Sequence, residues 1–246
     1  MGAYYNEIDP FAAAWLRELI KAGHIAAGEV DERDIRDVEP RDLEQFTQCH
    51  FFAGIGGWSY AARLAGWPDD RPLWTGSCPC QPFSTASAGK GKGTSSEKHL
   101  WPEWRRLIRS ARPAVIFGEQ VASSGAWTDQ VWNEMEHDGY AFWPVDIAAL
   151  TVGADHIRDR RWFLAYPNMR TEHGGSQYAE TQMLPGRDCV GGGVLPSHGV
   201  SLGLAERSAC KGFGNAIVPQ VAAEVIGAFL DTERDRLGLT PDTEWD

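Results

Sequence analysis

The stretch Gln48-Cys49-His50-Phe51-Phe52-Ala53-Gly54-Ile55-Gly56-Gly57 runs directly into Trp58-Ser59-Tyr60-Ala61-Ala62-Arg63-Leu64-Ala65. An apolar run of strand length meets a glycine turn and then a segment of helical character. Glycines let the backbone approach a ligand, and a helix N-terminus presents N–H groups with no partner inside the helix. Strand, glycines and helix in this order form the cradle of a nucleotide-type ligand in an α/β sheet. The same turn also serves elsewhere simply to pack a helix on a sheet.

The rest of the chain alternates strands and helices. A helix is predicted over 11–22, with Asp9 as N-cap, Pro10 at its first position and Phe11, Trp15, Leu19 and Ile20 on one stripe. Strands are predicted at 3–5, 49–52, 73–75, 114–117, 142–145 and 162–165, and further helices at 58–65, 101–110, 128–138 and 218–230. This alternation implies an α/β fold, a mostly parallel sheet with helices on both faces. At 246 residues the chain buries one full core with a small appendage. Residues 166–211, rich in Gly, Ser, Pro and His with little periodicity, form that irregular region; 1–165 and 212–246 form the main domain.

A second stretch, Gly76-Ser77-Cys78-Pro79-Cys80-Gln81-Pro82-Phe83-Ser84, sets a cysteine after a proline and before a polar loop of Ser, Gly and Lys. A thiol there suits a nucleophile covered by a cationic lid; the commoner fate of a free cysteine is burial in a core. Five cysteines without regular spacing argue against a disulfide framework and fit a reducing cytoplasm. Cys78 and Cys80 lack a second Cys/His pair at zinc-like spacing, so no metal is expected. No run reaches the ~18 apolar residues of a membrane helix, and the first residues do not read as a signal peptide.

The net charge of −11 is unlike that of a typical nucleic-acid binder. The acid gathers at the two ends, however. Residues 90–112 are basic, with Lys90, Lys92, Lys98, Arg105, Arg106, Arg109 and Arg112, and Arg158, Arg160 and Arg161 form a second cluster. A basic face on an acidic body binds a phosphate backbone with strong salt dependence. For Arg105, Arg106 and Arg109 a solvated helix face is the equal alternative.

Five segments together resemble the cytosine-5 DNA methyltransferase family. Phe52-Ala53-Gly54-Ile55-Gly56-Gly57 is similar to its S-adenosylmethionine motif, and Pro79-Cys80-Gln81 to its nucleophile motif. Glu119-Gln120-Val121 resembles its Glu-Asn-Val motif, and His156-Ile157-Arg158-Asp159-Arg160 its Gln-x-Arg-x-Arg motif. Gly214-Asn215-Ala216-Ile217-Val218-Pro219-Gln220-Val221 resembles its asparagine motif. The resemblance implies a Rossmann-like methyltransferase fold and a monomer acting on double-stranded DNA. Its cofactor is S-adenosylmethionine, leaving as S-adenosylhomocysteine. It assigns Cys80 as the thiolate that adds to C6 of cytosine, Glu119 as the acid at N3, and Arg158 and Arg160 as its supports. The cofactor contacts implied are the glycine motif with Asn215 and Val218. Gln81, Ser84, Ser87, Lys90, Lys92 and Arg161 are the implied DNA contacts, the loop 84–98 being the lid over a base flipped out of the duplex. The irregular region 166–211 is the implied reader of a target of about two to four base pairs.

The order of the motifs departs from the family. The acidic strand end for the cofactor ribose and the aspartate for its adenine stand upstream of the glycine motif here, as Glu7-Ile8 and Asp34-Ile35. If the glycine strand keeps its place in the sheet, the right-handed crossover rule puts its helix on the other face or demands a long return loop. Gln120 replaces the family's Asn, one methylene longer, and His156 replaces its Gln. The resemblance leaves two rivals: an RNA cytosine-5 methyltransferase using the same site, and a DNA-binding protein of this fold that has lost turnover.

Overall fold

A computed structural model describes residues 2–79, 99–154, 158–168 and 216–238. Seven strands form one sheet: β1 (Ala3–Asn6), β2 (Gly28–Asp31), β3 (Gln48–Phe51), β4 (Leu73–Gly76), β5 (Ile116–Val121), β6 (Tyr140–Ala148) and β7 (Asp159–Pro167). Among the described residues five α-helices accompany them: α1 (Pro10–Lys21), α2 (Gly57–Leu64), α3 (Trp101–Ala111), α4 (Gly125–His137) and α5 (Pro219–Leu237). The strand order is β2-β1-β3-β4-β5-β7-β6. The first five strands are parallel, and β7 pairs antiparallel with both β5 and β6.

Local signals set the helix ends. Asp9 caps α1 by accepting from Phe11 N at 3.0 Å and Ala12 N at 3.4 Å, with Pro10 at the first position. The strand predicted at 142–145 is nine residues long and runs through Pro144. As the sheet edge, β6 tolerates a residue with no N–H to donate.

Neighbours in register share a face. Tyr4, Cys49, Trp74 and Ile116 form one row, continued through Ala165 to Phe142, and all six lie in the core beneath α3 and α4. The next row, Tyr5, His50, Thr75 and Phe117, faces α1, α2 and α5. Helices therefore cover both faces, as expected.

The topology corrects one expectation. The step from β1 to β2 moves toward one edge with α1 on its face; the step from β3 to β4 moves the other way with α2 on that same face. These two crossovers have opposite hands. The step from β4 to β5 moves like β3 to β4 but carries α3 on the other face, so it shares the hand of the first. With right-handed crossing near-universal, β3–α2–β4 takes the rare left hand. Helix α2 neither changes face nor needs a long loop; residues 65–72 bring the chain back. Its place is held from outside the unit: a Cβ on Gly57 would lie 2.7 Å from Ile217, so α2 meets the lead-in to α5 at glycine distance.

Candidate active site

The carboxyl ends of the parallel strands carry two groups of residues. The first surrounds the turn after β3. Phe52, Gly54 and Gly56 take φ of 52°, 56° and 85°. For an aromatic residue this left-handed geometry costs about 1–3 kcal/mol, a strain found chiefly where a ligand is held. Phe52 is fixed by an edge-on contact with Trp104 at 6.2 Å. Gly56 caps α2 with no side chain, so the first N–H groups of α2 receive no side-chain cap. Ala53 is buried, and its N–H donates to Asn6 O at 3.0 Å. Ile55 is half-buried between the two turn glycines.

Glu7, just beyond β1, joins this turn directly. Its carboxylate accepts from Gly54 N at 2.7 Å and from Asp9 N at 2.8 Å. A carboxylate accepts about four hydrogen bonds, so holding two backbone N–H groups is compatible with also receiving a vicinal diol. Ile8 beside it is 60% exposed. The Asn6 amide donates to Asp31 O at 3.3 Å and Arg33 O at 2.9 Å, tying the end of β1 to the end of β2. Asp34 there accepts from Arg36 N at 3.0 Å and pairs with the Arg36 guanidinium at 2.9 Å; Ile35 is buried. Val218 precedes α5.

The second group lies at the ends of β4 and β5. The Glu-Gln-Val segment is the second half of β5 itself. Because β7 is antiparallel, Arg160 pairs in register with Val121 and reaches back to Glu119, Nε to Oε1, at 2.6 Å. Glu119 is only 7% exposed. Burial pushes its carboxyl above the ordinary range, and Arg160, Arg158 and the Ser77 hydroxyl pull it back in part. Arg158 donates from Nη2 to Ala216 O at 2.8 Å; burial and the charge of Arg160 hold its guanidinium below the ordinary value. Arg161 is engaged elsewhere, with two bonds to Asp146 at 2.7 and 2.6 Å and one to Thr128 Oγ1 at 3.0 Å.

Gln120, the longer replacement for the family's Asn, is buried. Its Nε2 donates to Cys78 O at 3.3 Å and its Oε1 accepts from Val121 N at 3.0 Å. The extra methylene is thus accommodated in a bond to the loop that leads to Pro79 and Cys80. Sequence reasoning missed Ser77, whose Oγ accepts from Trp58 Nε1 at 3.0 Å and whose hydroxyl is among the groups that pull the Glu119 carboxyl back down. The available signal was a hydroxyl close before the Pro-Cys pair. Cys80, Gln81, Ser84, Ser87, Lys90, Lys92, His156 and Asn215 lie outside the described residues.

Chemically, the two groups form a glycine-turn cradle with a carboxylate at its rim, and a buried carboxyl poised to exchange a proton between two guanidinium groups. A family model for C-5 cytosine-specific DNA methylases matches residues 3–185. The chain belongs to this family. Its seven-stranded sheet is the Rossmann-like fold of S-adenosylmethionine-dependent methyltransferases.

Several solved structures resemble this chain. The methyltransferase EhMeth of Entamoeba histolytica is 16% identical with a TM-score of 0.47, over 68% of this chain and 46% of that one. Spodoptera frugiperda DNMT2 is 16% identical with a TM-score of 0.44, over 68% and 43%. A putative DNA modification methyltransferase encoded within an E. coli prophage is 15% identical with a TM-score of 0.38, over 67% and 46%. The chain spans less than half the length of each. No curated protein matches it. Among the described residues no helix is long and apolar enough to cross a membrane, and no His, Cys, Asp and Glu group is arranged to hold a metal ion.

Proposed function

We propose that this methylase transfers a methyl group from S-adenosylmethionine to C5 of a cytosine flipped out of duplex DNA, with Cys80 as nucleophile. The observation that carries the reading is the buried Glu119–Arg160 pair at 2.6 Å, next in the chain to Gln120, whose amide holds the carbonyl of Cys78 two residues before Cys80. The cradle of residues 52–57, Glu7 with Ile8, Asp34 with Ile35, and Asn215 with Val218 would hold the cofactor. When bound, it supplies an electrophilic methyl on a sulfonium.

The protein's part is to make C5 nucleophilic. The Cys80 thiolate adds to C6, and ring electrons shift toward N3 and C5. Glu119 in its protonated form gives a proton or strong hydrogen bond at N3, a role for which burial favours the neutral carboxyl. Arg160 steadies Glu119 and reaches the base O2, and Arg158 braces the site from the Ala216 side. Once C5 is methylated, loss of its proton expels Cys80 and restores aromaticity. Flipping the base costs a few kcal/mol, and the loop 84–98, with Ser84, Ser87, Lys90 and Lys92, closes over it next to Gln81. Region 166–211 reads the site. The bond from Gln120 to Cys78 favours an active enzyme over a binding protein of the same fold.

The deciding test is trapping. Wild type and Cys80→Ala are incubated with S-adenosylmethionine and nucleic acid carrying 5-fluorocytosine, then run on a denaturing gel. A covalent adduct with duplex DNA in the wild type alone is expected. An adduct with RNA and none with duplex would overturn the DNA assignment. No adduct despite bound cofactor would overturn catalysis.

A further inference from the structure

The two residues before Cys78 are gripped from opposite faces of the sheet, each by a tryptophan outside every motif. Successive residues of a strand point to opposite faces. At Gly76, the last residue of β4, the Trp104 indole lies so close that a Cβ would stand 2.6 Å from its ring. Trp104 belongs to α3 and is fully buried in the core beneath α3 and α4. At Ser77 the grip comes from the other face. Trp58 Nε1 donates to Ser77 Oγ at 3.0 Å, and the Trp58 ring packs edge-on to Trp162 at 5.6 Å in the core shared with α5. Both tryptophans also hold the glycine turn. Trp104 meets Phe52 edge-on at 6.2 Å, and Phe52 keeps its left-handed backbone there. Trp58 is the second residue of α2, so its backbone continues the turn directly. In a close-packed interior neither ring shifts unless the turn or the strand end moves with it.

We propose that Trp58 and Trp104 are positioning residues, a clamp that ties the glycine turn to the strand end leading into Pro79 and Cys80, so that a ligand on the turn tightens residues 76–78. In methyl transfer this would fix the strand end that carries the nucleophile against the methyl donor. That catalytic meaning rests on the methyl-transfer reading; the tie between turn and strand does not. Cys78 reports on the clamp. Its side chain is 4% exposed, so a thiol reagent reaches it only when the strand end opens. A ligand that favours the clamped arrangement makes that opening rarer.

The test uses the full chain carrying Cys80→Ala, so that alkylation of this segment reports Cys78 alone. Iodoacetamide labelling is followed by peptide mass spectrometry, with and without S-adenosylhomocysteine at a concentration that calorimetry shows to be saturating. In this parent the ligand is expected to slow Cys78 alkylation about tenfold. Added Ser77→Ala, or Trp58→Phe, which keeps a ring but loses the donor, should cut that protection to less than about twofold. Ser77→Thr, which keeps the acceptor, should restore it. Undiminished protection in Ser77→Ala and Trp58→Phe would mean that the ligand shields Cys78 directly, and overturns the clamp. So does a ligand that binds the parent and leaves its alkylation rate unchanged. Failure of the parent to bind S-adenosylhomocysteine overturns the methyl-transfer reading instead. The clamp is then judged without ligand: faster Cys78 alkylation in Ser77→Ala, reversed in Ser77→Thr, upholds it, and equal rates overturn it.

Discussion

His50 is one residue through which acid reaches this fold. It is 1% exposed and stacked on Tyr5 at 5.0 Å; its Nδ1 meets Thr75 Oγ1 at 2.8 Å, and its Nε2 has no hydrogen-bond partner among the described residues. Burial holds its pKa down at about 3. The unfolded chain takes up this proton near the ordinary 6.5, so between those values it binds more protons than the native state. Stability from His50 is present above 6.5 and is lost as pH falls through this window, by about 2 kcal/mol at pH 5. Glu119 has the opposite sign: its raised pKa means the native state holds the extra proton, and stability falls as pH rises through its titration. Comparing His50→Gln with wild type cancels the Glu119 contribution. Urea unfolding at pH 7 and pH 5 should show the wild type losing about 2 kcal/mol more than the variant. Equal losses in both would clear His50 of the role.

At the scale of elements, the unusual feature is the left-handed β3–α2–β4 unit, and its return is built around Trp67. This indole is 2% exposed, edge-on to Phe117 at 6.1 Å and stacked on Phe229 of α5 at 6.0 Å; its Nε1 donates to Arg71 O at 3.1 Å, and the Arg71 guanidinium lies 4.3 Å over its ring. Gln48 of β3 adds a bond to Pro68 O at 2.9 Å. Trp67→Ala should cost about 3–5 kcal/mol, the penalty of a core aromatic rather than of a loop residue. Trp132→Ala, at a residue 39% exposed, is the comparison in the same denaturation series and should cost far less. A similar small loss in both would mean the return is not what holds α2. The strand–turn–helix at 48–65, the Asp9 cap and the alternation around them were legible because they rest on neighbours in sequence. The face and hand of α2 were not, because they depend on Ile217 and Phe229 far along the chain. The fate of Gln120 was equally hidden, since only the fold shows its amide reaching Cys78. Ser77 escaped notice because its partner Trp58 reads, locally, as one more apolar residue of a helix.

For the whole molecule the question is how a chain of net charge −11 holds a polyanion. The basic helix expected to face either DNA or solvent does something else. Arg105 grips Asp138 through two bonds at 2.6 and 3.0 Å, with Arg109 3.5 Å from the same carboxylate, whose side chain is 3% exposed. Arg106 donates to Val38 O at 2.7 Å and pairs with Glu103 at 3.3 Å. Arg160 and Arg161 are likewise spent on Glu119 and Asp146. These arginines join the layers of the fold, and each already has an acidic partner. If duplex DNA is the substrate, counterion release must therefore come chiefly from the lid lysines Lys90, Lys92 and Lys98. Replacing all three with Gln should flatten the slope of log K against log salt by about 3, with weaker binding at low salt. Arg105→Gln with Arg109→Gln should leave that slope nearly unchanged and instead lower the unfolding midpoint, because the buried Asp138 carboxylate loses its charged partners. Fluorescence anisotropy with a labelled duplex across a salt series, paired with urea unfolding, separates the two sets. A slope that follows the arginines and ignores the lysines would place the DNA on the α3 surface and remove the lid from the binding face.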